Sequence, residues 1–225
     1  MTYALTAKLR YKACIHEAGH AVVHALGGTG VYSVEVAPVG STDWVTQGRK
    51  GGELTDLWGV CRTSDLSAVM FMRWNNDNEC FDTYKQGFNE YLRKLDGFNR
   101  GSAKEIRRMV RAYICGCLAG PIADQIAGGC AQGDLFLEPI DFTAGDDRCR
   151  AIGFCDLLPQ RSDKAYYHLA EETESALREP ELWQSVLQIA NALQAAGLLD
   201  PDGHPNSPTF GHFKIPHPDE HVTVQ

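Results

Sequence analysis

The sequence lacks any concentration of Lys and Arg, any apolar run of membrane-spanning length and any Cys-x-x-Cys pair. Its 21 basic residues against 29 acidic ones give a net charge of -8, whereas a phosphate-binding face needs clustered positive charge. We therefore expect no nucleic-acid partner. A helix that crosses a bilayer needs about 20 apolar residues, so we also expect no integral membrane segment. The N-terminal residues have no signal-peptide layout, because His and Glu interrupt their apolar part, and we expect a cytoplasmic protein.

The eight cysteines are spread along the chain and form no Cys-x-x-Cys pair. Zinc-thiolate clusters usually use pairs about two to four residues apart, and a chain of 225 residues can bury a sizeable core without a disulfide framework. We therefore expect reduced, partly buried thiols. A hydrophobic content of 44% with 22% charged residues is typical of globular proteins and argues against a disordered class.

Residue patterns predict a mainly α (α+β) fold, a helical array with a small β-ribbon or sheet. Apolar residues and alanines predict a helix over residues 5 to about 27, ended by glycines. β-Branched and aromatic residues predict strands over 31–38 and 57–64, which can pair beside that helix. Further helices are expected over residues 103–129, 163–179 and 180–197, and another is expected to begin at Thr143, its capping residue. Pro121 is expected to kink or restart the second of these five helices.

The domain prediction is one domain over residues 1–200 and an extended Pro- and His-rich tail over 201–225. Residues 66 to about 104 are expected to form a helical insertion. This insertion could be a lid. Alternatively, its aromatic residues form the packed face of a scaffold helix, and their three-to-four spacing favours this view for Phe81, Tyr84, Phe88 and Tyr91.

The motif His-Glu-Ala-Gly-His at residues 16–20 lies inside the first predicted helix. Residues four apart on a helix lie one above the other, so His16 and His20 can bind one zinc ion. Glu17 lies beside that point and can act as the general base of a peptidase that uses zinc-activated water. Unpaired burial of these polar groups in an apolar helix would be costly, which favours a ligand. Gly19 in mid-helix indicates that another backbone or the substrate approaches closely there.

A peptidase site needs a third protein ligand besides the two histidines. His24 continues the four-residue spacing, but a straight helix carries it out of reach of the same metal, so we expect it to pack or to support the ligands. The spacing of residues leaves four carboxylates open as the third ligand: Asp147, Asp146, Glu171 and Glu172. A second metal site among the tail histidines is a further alternative, which their irregular spacing disfavours: His204, His212, His217 and His221.

Most of the chain resembles the peptidase domain of the FtsH family of ATP-dependent zinc metalloproteases. CIHEAGHAVV is similar to that family's ligand helix, SVEVAPVG to the strand after it, LAGPIADQIAGG to its Gly-Arg-Ala-Ala-Glu-Glu helix, and TAGDDRCRA to its Thr-Gly-Ala-x-x-Asp-Leu-x-x-Ala stretch. IANALQAAGLLDPDG resembles the helix and turn near the family's C-terminus. This resemblance implies an FtsH protease domain-like fold.

The resemblance also implies roles for individual residues. His16 and His20 would be zinc ligands, Glu17 the catalytic base, and Asp147 the third ligand, which places Asp147 ahead of the glutamates. WGVCRTS occupies the place of the family's strand that pairs with extended substrate, a mode that reads backbone and gives broad specificity.

The chain also departs from the family. It contains no Gly-x-x-x-x-Gly-Lys-Ser/Thr motif, so we expect no processive unfolding by this chain alone. Pro121 and Asp124 replace the family's Arg and Glu, and Arg148 replaces a Leu. We therefore expect a zinc metalloendopeptidase that acts on flexible or unfolded polypeptides, with homo-oligomerisation or a separate partner as ways to obtain substrate. The alternative hypothesis is a catalytically silent, zinc-stabilised regulatory or protein-interaction module.

Overall fold

The computed structural model describes residues 4–48, 52–55, 57–64, 66–140, 142 and 145–200. Within these residues the fold is mainly α with small antiparallel sheets, as predicted. The helices are α1 Ala7–Leu26, α2 Lys85–Phe98, α3 Ser102–Ala127, α4 Asp147–Leu157, α5 Ser162–Arg178 and α6 Pro180–Ala196. The strands are β1 Val31–Val36, β2 Thr46–Gln47, β3 Glu53–Leu54, β4 Gly59–Thr63, β5 Met72–Asn75, β6 Cys80–Thr83 and β7 Leu198–Leu199.

Helix α1 lies at the centre of the fold, packed against α3, α6 and the sheet that contains β1 and β4. The Thr6 side chain caps its N-terminus by accepting a hydrogen bond from the Leu9 amide. Gly19 confirms the expected close approach, because a Cβ there would lie 2.8 Å from the Ala119 carbonyl oxygen and 2.8 Å from the Ala123 Cβ on α3. The backbones of α1 and α3 therefore meet without an intervening side chain at this level.

The main sheet has three antiparallel strands in the order β4-β1-β7. The predicted pairing of β1 with β4 is confirmed, with Val36 opposite Gly59. Strand β7 has no counterpart among the sequence predictions. Gly197 produces it: its positive φ of 79° ends α6 and turns the chain back onto β1, where the Val36 amide donates to the Gly197 carbonyl at 2.8 Å.

The helical prediction is wrong for the first half of the 66–104 segment. A 3-10 turn at Ser67–Phe71 leads into the hairpin of β5 and β6. The turn between these strands explains the difference, because the Asn75 side chain accepts hydrogen bonds from the amides of Asp77 and Asn78 and so stabilises a turn instead of a helix.

The aromatic residues of this segment consequently do not share one helical face. Phe81 lies on β6, where its ring contacts Trp74 across the hairpin, and Tyr84 is 60% exposed at the start of α2. Phe88 is fully buried on α2, as predicted, and the half-buried Tyr91 packs beside Phe71. The hairpin packs on α4, so this segment is part of the scaffold around the helix that begins at Asp147.

Two further predictions are corrected. Asp146, whose side chain accepts from the Cys149 amide at 2.8 Å, is the N-cap of α4, whereas Thr143 lies outside the described residues. Helix α3 runs continuously through Pro121, so the predicted restart does not occur, whereas a kink stays a prediction. The predicted tail over 201–225, with its four histidines, also lies outside the described residues. Among the residues that are described, no helix has the length and apolar character needed to cross a membrane.

Candidate metal centre

Helices α1 and α4 bring two histidines and one carboxylate to a common point. His16 and His20 lie one turn apart on α1, and Asp147 is the first residue of α4. The His20 Nε2 atom lies 3.1 Å from the His16 Nε2 atom and 3.1 Å from the Asp147 Oδ2 atom. The distance from His16 Nε2 to Asp147 Oδ2 is 3.3 Å. We call these three residues the ligand triad.

The ligand triad fits a tetrahedral zinc ion in both chemistry and size. Two imidazole nitrogens with one carboxylate oxygen form a donor set of the catalytic-zinc type, which leaves one position for water or substrate. Zinc bonds of about 2.0–2.1 Å at tetrahedral angles separate neighbouring ligand atoms by about 3.3 Å, close to the three distances observed. The side chains of His16 and Asp147 are each 25% exposed, so solvent reaches one side of the triad.

Hydrogen bonds behind the triad orient both imidazole rings. The His16 Nδ1 group donates to the Asp124 carboxylate at 2.9 Å, and the His20 Nδ1 group donates to the Gly116 carbonyl oxygen at 2.7 Å. In the neutral imidazole, each bond keeps the proton on Nδ1 and leaves the lone pair on Nε2, and it increases the basicity of that nitrogen. Such partners are characteristic of histidines that bind metals, so this arrangement supports metal binding independently of the distances.

Two glycines on α3 provide the space that the histidines occupy. A Cβ at Gly120 would lie 2.3 Å from His20 Nε2 and 2.7 Å from His16 Nε2. A Cβ at Gly116 would lie 2.2 Å from the His24 ring. Because contacts this short do not occur between real atoms, only glycine is compatible with the observed ring positions.

Charge interactions perturb the ionisation of the triad. Burial alone would lower the pKa of His16, but hydrogen bonds to Asp124 and Asp147 outweigh it and raise that pKa well above its ordinary value. Burial likewise opposes the charged form of Asp147, yet the adjacent imidazoles of His20 and His16 hold the pKa of Asp147 far below its usual range. The carboxylate of Asp147 is therefore ionised, which is the form that binds a metal.

Glu17 is buried between the triad and strand β4. Its side chain is only 7% exposed, and its Cγ, Cδ and Oε1 atoms face the Cα of Gly59. Burial raises the pKa of Glu17, although His16 and His20 partly offset this effect. Glu17 is not a member of the triad, which leaves its carboxylate available to exchange a proton with a bound water or substrate.

The other carboxylates considered from the sequence lie outside the triad. Asp146 acts as the N-cap of α4 through Cys149. Glu171 and Glu172 are exposed on α5, and Glu172 forms an ion pair with Arg111 and lies 3.1 Å from the His168 Nε2 atom. Helix α5 packs against α3 and α4, and neither of these two glutamates belongs to the triad.

His24 packs instead of binding with the triad, as the helix geometry predicts. Its ring contacts Tyr113 edge-on at 5.0 Å between centroids, and its Nδ1 atom is buried without a hydrogen-bond partner among the described residues. Burial, with a smaller contribution from His20, lowers the pKa of His24 to about 3. His24 is therefore neutral in the folded protein.

No role for Asp124 is predicted from the sequence, in which this residue is only a departure from the FtsH pattern. The available signal was its place in the helix, since it lies four and eight residues after Gly120 and Gly116 and so on the same face of α3. A histidine ligand that needs a carboxylate partner could have directed attention to that face.

No protein-family model matches this chain, and a search of curated protein sequences finds no similar protein. The resemblance to the FtsH peptidase domain therefore rests on the residues themselves and stays a prediction.

Replacing Asp124 with Asn should weaken zinc binding about 10- to 100-fold, because the charged acceptor of His16 is lost while the side-chain shape is kept. Competition with a chromogenic chelator at constant pH measures this affinity. The matched control is Asp77→Asn in the exposed β5–β6 turn, which should leave the affinity unchanged. Equal zinc affinity in the Asp124 variant and the unaltered protein would contradict a supporting role for Asp124.

Replacing His24 with Leu should reduce the acid sensitivity of the fold. Because the folded-state pKa of His24 is about 3 against an ordinary 6.5, only the unfolded chain takes up a proton as the pH falls below 6.5, so stability is lost from there down to pH 3. Between pH 7.5 and 5.0 the variant should gain about 2 kcal/mol relative to the unaltered protein.

Urea unfolding of the metal-free proteins at both pH values measures this difference. The control is His168→Leu, at a side chain that is 57% exposed and should show little such gain. The same stability difference for His24→Leu at pH 7.5 and pH 5.0 would contradict the assignment of a neutral buried imidazole.

Proposed function

We propose that this chain is a zinc-dependent metalloendopeptidase that hydrolyses peptide bonds in flexible or unfolded polypeptides. The observation that carries the proposal is the ligand triad, whose donor atoms have the separations of a tetrahedral zinc site, together with the buried Glu17 on the same helix. His16, His20 and Asp147 would hold the metal. A bound zinc ion would supply Lewis acidity, which polarises the scissile carbonyl and makes water a stronger acid.

Glu17 supplies the proton transfers of the proposed reaction. Its carboxylate accepts a proton from the attacking water and donates it to the amine nitrogen that leaves when the peptide bond breaks. The water oxygen forms the new bond to the carbonyl carbon, so no covalent enzyme intermediate is needed. The position of Glu17, adjacent to His16 and outside the triad, suits this role because Glu17 would lie near a metal held by the triad without binding it.

Strand β4 offers a way to align the substrate. It is an outer strand of the main sheet, with no other strand on its free side within the described residues. Its first residue, Gly59, faces Glu17. An extended polypeptide that pairs with this edge would pass Glu17 and would be read through its backbone. Substrates would therefore need an unfolded or flexible segment but no particular sequence.

Supply of such segments is a separate requirement. The resemblance to the FtsH peptidase domain supports the proposed chemistry, but this chain contains no ATP-binding motif of the Gly-x-x-x-x-Gly-Lys-Ser/Thr type. The activity that we propose for this chain is therefore independent of ATP. Self-association or a separate partner that delivers unfolded chains stays a prediction, as does the cytoplasmic location.

Glu17→Gln should retain stoichiometric zinc and lose nearly all cleavage of an unstructured protein such as casein, because the amide cannot accept the proton of water. Zinc content is measured by elemental analysis and cleavage by release of labelled peptides. The control is Glu171→Gln, at an exposed glutamate on α5, which should keep both properties.

Undiminished cleavage by Glu17→Gln would refute Glu17 as the base. Full zinc occupancy without cleavage of diverse peptides by the unaltered protein would instead favour the catalytically silent binding module.

A further inference from the structure

Gly59 is the first residue of β4, and its pairing partner is Val36 of β1. The register continues along the strand, and the preceding Trp58 carbonyl oxygen accepts a hydrogen bond from the Ala37 amide at 2.9 Å. The backbone at Gly59 is therefore held against β1 by the strand register and by the hydrogen bond at the preceding residue.

The space that a side chain at Gly59 would fill is occupied by Glu17. A Cβ built on Gly59 would lie 2.6 Å from the Cγ atom of Glu17, 2.7 Å from its Oε1 atom and 3.0 Å from its Cδ atom. These are its three nearest neighbours. The carboxylate of Glu17 thus lies directly against the Cα of Gly59. Any residue with a side chain at position 59 would place its Cβ closer to Glu17 than van der Waals contact allows.

Neither helix α1 nor strand β4 can move easily to make room for a methyl group at residue 59. Helix α1 is in direct contact with α3 at Gly19, and His16 and His20 are hydrogen-bonded to Asp124 and Gly116 on α3. The strand is held by its register with β1. The Glu17 side chain is the softest part of this contact, because rotation about its own bonds costs less than displacement of a helix or a paired strand.

We propose that Gly59 is a positioning residue for Glu17, and that its missing side chain sets where the base lies between the ligand triad and β4. This inference rests on the proposed function insofar as it calls Glu17 the base. Strand β4 would then serve two parts of the reaction, because it would align the substrate backbone and also position the carboxylate of Glu17.

A double-mutant cycle tests the contact without any need for turnover. The chains compared are the unaltered protein, Gly59→Ala, Glu17→Ala and the double variant, each in the same metal-free buffer. Gly59→Ala should lower Tm by about 3 to 8 °C when Glu17 is present. It should lower Tm by less than about 1 °C when residue 17 is Ala, because all three colliding atoms are then gone.

Equal Tm shifts in the two backgrounds would overturn the proposal. If Gly59→Ala alone does not fold, a folded double variant still supports the contact, and failure of both chains to fold overturns it. Gly52→Ala is the matched control, since a Cβ at Gly52 meets nothing within 4 Å, and this change should leave Tm unaltered in both backgrounds.

A kinetic measurement on the zinc-loaded proteins tests the consequence for the base. Gly59→Ala should keep one zinc per chain, and its KM for a peptide substrate should stay within about twofold, while kcat should fall about 10- to 100-fold because the base is displaced. An unchanged kcat, or a loss of zinc that accounts for the lower rate, would overturn the positioning role. If the unaltered protein cleaves no peptide, the proposed function fails, and the Tm cycle still decides whether Gly59 and Glu17 are coupled.

Discussion

The close contact between α1 and α3 is the constraint on which the rest of the site depends. Gly19 lies against the Ala119 carbonyl, and Gly120 lies directly beneath the two imidazoles. Residues with side chains at these points would separate the helices and remove the space for the rings. The same contact brings Asp124 and the Gly116 carbonyl within hydrogen-bonding distance of the histidines. Packing thus fixes both the position and the orientation of the two proposed histidine ligands.

The position of Asp147, the proposed third ligand, depends on a different set of contacts, which hold residues 130–136 between α3 and α4. The buried Glu174 accepts hydrogen bonds from the Gly133 amide and from Arg178, and Arg178 also donates to the Cys130 carbonyl. Gln125 pairs with both backbone polar groups of Phe136. These bonds hold residues 130–136 against α3 and α5, and the Arg148 side chain of α4 donates to the Phe136 carbonyl oxygen at 3.3 Å. The start of α4, with Asp147, is thereby tied to the same segment. The N-terminus of a helix is a favourable position for a carboxylate, because the helix dipole stabilises its negative charge.

The sequence predicts some levels of this structure much better than others. Helix α1 and the β1–β4 pair follow from local periodicity and glycine boundaries, and the structure confirms them. The His16–His20 pair needs only helical spacing. Asp147 could not be separated from Asp146, Glu171 and Glu172 by residue patterns alone, because the choice depends on how α4 and α5 pack on α3. The β5–β6 hairpin was missed because aromatic residues at helical spacing hid the turn made by Asn75 and its neighbours. The proposed roles of Asp124 and Gly59 depend on contacts with residues that are distant in the sequence, and local patterns carry little information about such contacts.

Binding of one zinc ion by His16, His20 and Asp147 can be tested by anomalous diffraction on both sides of the zinc absorption edge, from crystals of the zinc-loaded full chain. We expect one zinc peak bonded to the two Nε2 atoms and to an Asp147 carboxylate oxygen, with the zinc-oxygen distance about 2.0–2.2 Å. A peak that is bonded to the histidines without Asp147, or a principal peak elsewhere in the molecule, would contradict it.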